Sequence, residues 1–217
     1  MTGMEINYKD WIEIANRVFG QKVVPAEAIF VHGFEDLHDE MIDFVAEAYK
    51  KSGAKHLVLN GEKEFEFGAP GFEYWKAKLV ERGVSELNIS GVTPARHTRE
   101  EALGYMNFAR ENNIKRGIVI SAPMYVARAF LTNLSLVKNW KLTLDLYPMT
   151  MKGIDWEREI VVRGLGGDSP SEPGSRFVKF AGEWGKIIQY RQNYENGNQN
   201  YSIASVKEGL DYLKNLP

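Results

Sequence analysis

Residue types and spacing point most clearly to chemistry in Arg116–Arg128, where the apolar run Gly117–Ile120 is followed by Ser121, Pro123, Tyr125 and Arg128. A short apolar run of this kind reads as a buried strand, and the residues after it open a helix. In open α/β proteins strand carboxyl ends and helix amino ends converge on one crevice, which is where ligands sit. Pro123 suits the first helical position, where its missing N–H costs nothing. Tyr125 and Arg128 share a helical face, and an arginine so placed reaches back to grip a phosphate or carboxylate. A surface salt bridge is the plainer alternative for Arg128.

Three other groups fall at comparable junctions. His32 and Gly33 end the run Ala28–Val31, setting an imidazole beside a residue that lets backbone approach a ligand closely; a histidine merely hydrogen-bonded at a strand end fits as well. Asn60, Gly61 and Glu62 end a second run, where dinucleotide-type folds hold a ribose through an acidic residue, although Asn-Gly is also an ordinary turn. In Arg96–Glu101, Thr98 and Glu101 fit a capping box. The crowding of Arg96, His97 and Arg99 there opposes the helix dipole unless an anion or the neighbouring carboxylates compensate. Glu100 and His32 are the acid/base candidates. Gly33, Asn60, Gly61, Thr98, Glu101, Ser121, Tyr125 and Arg128 are the candidate ligand-binding residues.

The elements that must position these groups alternate. Ala28–Val31 is a strand, and Leu37, Met41, Phe44, Val45 and Ala48 mark a helical face stopped at Ser52 and Gly53. Lys55–Gly61 repeats the strand and its glycine exit, Phe72, Trp75 and Leu79 mark a short helix, and Leu87–Ile89 is a third strand. Ala102, Tyr105, Met106 and Ala109 form the next helical stripe, before the strand Gly117–Ile120. A helix through Met124, Arg128, Leu131 and Leu134 leads to a fifth strand, Lys141–Tyr147. This alternation predicts a mainly parallel sheet of about five strands in a three-layer, Rossmann-like α/β sandwich. Residues 1–25 are expected to be a helical extension, with a helix over Tyr8–Phe19, and 26–150 the core. Residues 151–217 are expected to form a helical carboxyl-terminal extension, with a helix candidate from Ile154, another over Phe177–Arg191 and a last one ending at Leu216. The Gly- and Pro-rich loop Gly164–Ser175 is either a surface connector or a lid over the crevice.

Composition narrows the partners. The 217 residues are 44% hydrophobic and 26% charged, as in one globular domain with or without an appended subdomain. A net charge of -2 and a pI near 6.1 argue against nucleic acid as the main partner. There is no cysteine, which removes disulfides, thiolate nucleophiles and Cys-based zinc sites, and the four histidines lack metal-binding spacing, so no metal is expected. Gly-x-Gly-x-x-Gly, the Walker lysine motif and Gly-x-Ser-x-Gly are absent. Met1–Asp10 lacks an apolar signal core and no run approaches the roughly 20 apolar residues of a membrane helix. The expectation is a cytoplasmic protein with a small anionic or nucleotide-like partner and no membrane or nucleic-acid surface.

The order of segments resembles the YdcF-like family over roughly residues 26 to 150. The resemblance rests on Ile29–Gly33, Leu57–Gly61, Thr98-Arg99-Glu100-Glu101 and the Ser121…Tyr125…Arg128 spacing. It implies a Rossmann-like fold with a ligand site at the strand ends, and S-adenosylmethionine as a ligand without implying methyl transfer. Thr98, Glu100, Ser121 and Arg128 match the family's pattern, whereas Glu101 stands for its asparagine and Tyr125 for its histidine. A tyrosine of ordinary pKa near 10 carries protons poorly at neutral pH, so this site fits a degenerate, non-catalytic sensor or interaction protein as well as an enzyme.

Overall fold

A computed structural model describes residues 7–33, 36–63, 70–162 and 172–217. Its elements are α1 (Tyr8–Gly20), β1 (Ala28–Val31), α2 (His38–Ser52), β2 (His56–Asn60), α3 (Phe72–Glu81), β3 (Ile89–Val92), α4 (Thr98–Glu111), β4 (Arg116–Ile120), α5 (Val126–Asn139), β5 (Asp145–Met149), β6 (Glu159–Val162), β7 (Glu172–Ser175), α6 (Arg176–Glu195) and α7 (Val206–Lys214). Runs of four or five apolar residues are too short for a stable helix and, as strands, bury both faces. They pair in parallel in the order β3-β2-β1-β4-β5, with Ile29 opposite both Leu57 and Ile118.

Alternation along the strands divides the core. Ile29, Val31, Leu57, Leu59, Ile118 and Ile120 face α2 and α3, while Phe30, Val58 and Val119 face α4 and the second half of α5. The result is the three-layer, Rossmann-like α/β sandwich that the sequence predicts. Helix α5 also feeds a third cluster through Val126, Phe130, Leu131 and Leu134, against Ile14 and Val18 of α1, Ile187 of α6 and Leu210 and Leu213 of α7. Packing on both sides explains why α5 is buried nearly all round. At the β5 edge, the Tyr212 hydroxyl donates to Leu144 O (3.1 Å) and accepts from Leu146 N–H (2.7 Å). Burial pushes that phenol up to about 12, and α7 thereby covers strand groups that would otherwise be open to pairing.

Four expectations are corrected. The third strand is Ile89–Val92 rather than Leu87–Ile89, because Glu86–Asn88 is a single 3-10 turn. The fifth begins at Asp145 rather than Lys141, since Lys141 takes a left-handed φ of 52° just after α5. Its Pro148 is tolerated because β5 is an edge strand. The stretch after Ile154 forms no helix but leads into β6, which pairs antiparallel with β7, so the carboxyl-terminal extension is not wholly helical. Pro123 does not begin α5; it lies in a turn closed by Tyr125 N–H to Ala122 O (2.9 Å), and the helix starts at Val126. Of the loop read as connector or lid, Glu172–Ser175 is β7, and residues 164–171 lie outside the described residues. Among the described residues no helix is long and apolar enough to cross a membrane.

Candidate functional site

The strand order reverses its winding between β1 and β4, and that switch point opens the crevice of an open α/β sheet. His32 stands there, continuing the pairing of β1 with β4 by donating its N–H to Ile120 O (2.9 Å). Its side chain is only 2% exposed, so its ring nitrogens must find partners inside the protein. Nδ1 lies 2.7 Å from Glu101 Oε2 and Nε2 lies 2.7 Å from Asn133 Nδ2. Asn133 Nδ2 also donates to Ala129 O (2.8 Å). Facing that carbonyl, this atom must be the amide nitrogen, and because an amide nitrogen only donates, Nε2 is the acceptor and the ring proton sits on Nδ1, donated to Glu101. The ring edge abuts Tyr105, with centroids 5.0 Å apart.

Glu101 is the hub. Its Oε1 accepts from Gly33 N–H (2.7 Å) and from Asn60 Nδ2 (3.2 Å). Asn60 is itself clamped to the loop before α4 by a two-way pairing with Ala95, 2.8 Å to its O and 3.0 Å from its N–H. The Tyr105 hydroxyl donates to Val31 O; burial, then the charges of Glu101 and Glu62, raise its pKa well above the ordinary value. A small cleft beside this network is lined by His32, Gly33, Asn60, Glu62, Phe72 and Trp75, among others.

A second polar group forms where α4 and α5 begin. The Arg128 guanidinium donates from Nη1 to Thr98 Oγ1 (2.5 Å) and from Nε to Glu183 Oε2 of α6, and it lies 5.8 Å from the Tyr125 ring centre. Burial opposes its charge, yet Glu183 raises its pKa above the ordinary value. A third pair lies just beyond Gly33, where Arg176 Nε and Nη2 grip Asp36 Oδ2 (2.6 Å) and Oδ1 (3.0 Å). Burial works against ionisation of Asp36, but these bonds and the Arg176 charge hold its carboxyl below the usual range.

Several sequence readings change. Thr98 and Glu101 form no capping box: Thr98 is the first helical residue, His97 is the cap position without a side-chain bond, and Glu101 turns to His32. Glu100, read as an acid/base candidate, is exposed and accepts from Arg96 N–H (2.9 Å), so it takes no part in the buried network. The glycines sit in close quarters: a Cβ at Gly61 would fall 2.1 Å from Val92 O, and one at Gly33 would fall 3.0 Å from Glu101 Oε1. Ser121 is buried and its carbonyl accepts from Thr150 (2.8 Å). Of the basic cluster, Arg96 and His97 are exposed, and Arg99 Nε is buried with no hydrogen-bond partner among the described residues.

Asn133, Glu183, Arg176 and Asp36 were not singled out. Asn133 left a signal, since Thr132, Asn133 and Ser135 interrupt an otherwise apolar helix that tertiary packing buries. Glu183 and Arg176 left none, because one charge among many on α6 reads as a solvated face. No group of three or more His, Asp or Glu among the described residues is placed to hold a metal ion. No family model matches the chain, and no curated protein matches it.

Proposed function

We propose that this chain binds a nucleotide-like or phosphorylated small molecule at the carboxyl ends of its strands, and acts there as an enzyme in which the His32–Glu101 pair moves a proton. S-adenosylmethionine belongs among the ligands to be tested, on the family resemblance. The observation that carries the reading is the buried hydrogen bond from His32 to Glu101 at the topological switch point, beside a cleft. A carboxylate fixing the tautomer of an imidazole is the arrangement by which a histidine is oriented for general acid/base work. The start of α5 supports an anionic ligand: its first turn holds no acidic residue and the side chain at its cap position, Tyr125, does not cap the helix, which sets the amino-terminal backbone N–H groups and the positive end of the helix dipole beside Arg128.

A second reading, a non-catalytic ligand sensor, is favoured by one feature. Both ring nitrogens of His32 and the guanidinium of Arg128 already have protein partners, so a proton transfer requires the Asn133 bond to break first.

Thermal-shift measurement against nucleotides, sugar nucleotides, phosphosugars and S-adenosylmethionine tests the binding. A ligand at a hundredfold excess over its Kd adds about 2.7 kcal/mol, and a panel that leaves the melting temperature unmoved overturns the reading. If a ligand is found, turnover lost in His32→Gln with binding retained supports the enzyme. Binding without turnover in the parent supports the sensor.

A further inference from the structure

Helix α6 sends two charged side chains into the carboxyl edge of the sheet. Arg176 and Glu183 are seven residues apart, about two helical turns, and so share one face; both are buried, at 2% and 3% exposure. Arg176 reaches Asp36 beyond β1, and Glu183 reaches Arg128 in α5. The two contacts therefore fall on the segments that follow the two strands flanking the switch point, β1 and β4. Apolar residues of the same volume usually stabilise such a place as well or better than an ion pair, so the pairing itself asks for an explanation.

The chemistry around Glu183 supplies one. Its carboxylate is held on one oxygen by Arg128 and on the other by Lys186 Nζ (2.8 Å), and Arg128 is braced by the Thr98 hydroxyl. A guanidinium and an ammonium on the two oxygens of a carboxylate, with a hydroxyl bracing the guanidinium, are groups that a protein uses to hold a ligand's carboxylate or phosphate. Arg128 keeps 11% of its side-chain surface exposed and Lys186 keeps 52%, so the anion place borders solvent and Glu183 has a partner to follow outward.

We propose that Glu183 is a built-in competitor, whose carboxylate fills the place where Arg128 and Thr98 bind the anionic group of an incoming ligand. The proposal rests on the anion-binding reading above. In this arrangement the anion binds only to the fraction of molecules whose Glu183 has swung off Arg128 towards Lys186, and the apparent affinity is lowered by that fraction. Removal of the competing charge without change of shape, Glu183→Gln, therefore tightens anion binding.

Inorganic phosphate is the probe, titrated by calorimetry into the full chain at constant ionic strength set with chloride, since screening alone alters charge pairs. Phosphate is expected to bind Glu183→Gln at least roughly tenfold more tightly than the parent, and the gain is expected to vanish in Arg128→Gln/Glu183→Gln. Equal affinity in parent and Glu183→Gln overturns the competitor and leaves the anion-binding reading standing. Binding in neither overturns both. Should Glu183→Gln fail to fold, amide hydrogen exchange of the parent decides: saturating phosphate is expected to speed exchange in the turn of α6 around Glu183 and not in α7, and unchanged exchange there with phosphate bound overturns the proposal.

Discussion

The carboxyl edge of the sheet and the outer cluster of α1, α5 and α7 obey different rules. At the edge, α2, α3, α4 and α5 begin after Leu37, Gly71, His97 and Tyr125, and none of these residues caps its helix with a side chain. The outlying helices α1, α6 and α7 begin at Asn7, Ser175 and Ser205, each with a side chain accepting a helix N–H, and Ser205 with Glu208 completes a capping box. The edge also holds the buried pairs of His32 with Glu101, Arg128 with Glu183, and Arg176 with Asp36, and Leu37 there takes a left-handed φ of 64°. The buried residues of the outer cluster are all Ile, Val, Leu, Phe or Ala. Caps and apolar packing stabilise at little cost, whereas buried charges and strained backbone persist only where surrounding structure and function maintain them. One part of the molecule is built for stability, and the other holds the buried polar pairs on which the proposed site rests.

Substitutions sharpen that contrast. The largest effect is expected from Glu101→Ala, which strips an acceptor from His32, Gly33 and Asn60 at once and leaves the His32 and Asn60 side chains buried without it; a loss of about 3–5 kcal/mol in urea denaturation is expected. A loss under 1 kcal/mol would mean that water replaces the carboxylate. Next, Asp36→Asn keeps shape but leaves Arg176 without its counter-charge, for a loss of about 2–3 kcal/mol at pH 7, discounted for the partial exposure of Asp36. The sign with pH follows from the lowered pKa of Asp36. Its contribution is present above the unfolded value of about 3.9 and is lost as pH falls through the lower folded value, so the acid limb of the stability curve is expected to be shallower in Asp36→Asn.

The outer cluster is broken by bulk instead. A Cβ at Gly209 would fall 2.6 Å from Leu131 and 2.9 Å from Ile14, so Gly209→Ala is expected to cost about 1–3 kcal/mol by overpacking while ligand affinity at the edge stays unchanged. Smallest is Ser205→Ala, expected to cost about 1 kcal/mol through loss of the cap, again without effect on binding. A change of affinity in either would mean that the two regions are coupled.

The sequence made the stable region more legible than the site. β1, β2 and β4 are readable because both faces of a central strand are buried, so each carries an unbroken apolar stretch, Ala28–Val31, Leu57–Leu59 and Gly117–Ile120. β3 was misplaced because an edge strand carrying Ser90 and Gly91 buries little, and β7, Glu-Pro-Gly-Ser, has no strand propensity of its own. At the site, His32, Asn60, Thr98, Glu101 and Arg128 were picked out by their positions at strand and helix ends. Their pairings are not legible, nor are the partners Asn133 and Glu183, because Glu101 meets His32 69 positions away and Arg128 meets Glu183 55 positions away, and no local pattern records such distances. Glu101 looked like a cap for the same reason: spacing within a helix is visible in sequence, whereas a turn of the side chain towards β1 is not.

The most direct test of the account is to map the ligand of largest thermal shift onto the amides of the chain by two-dimensional NMR. The expected result is a set of shifted amides confined to the carboxyl edge, at Gly33, Ser121 and Tyr125–Ala127. Shifts confined to α1 and α7, with the edge unmoved, would contradict it.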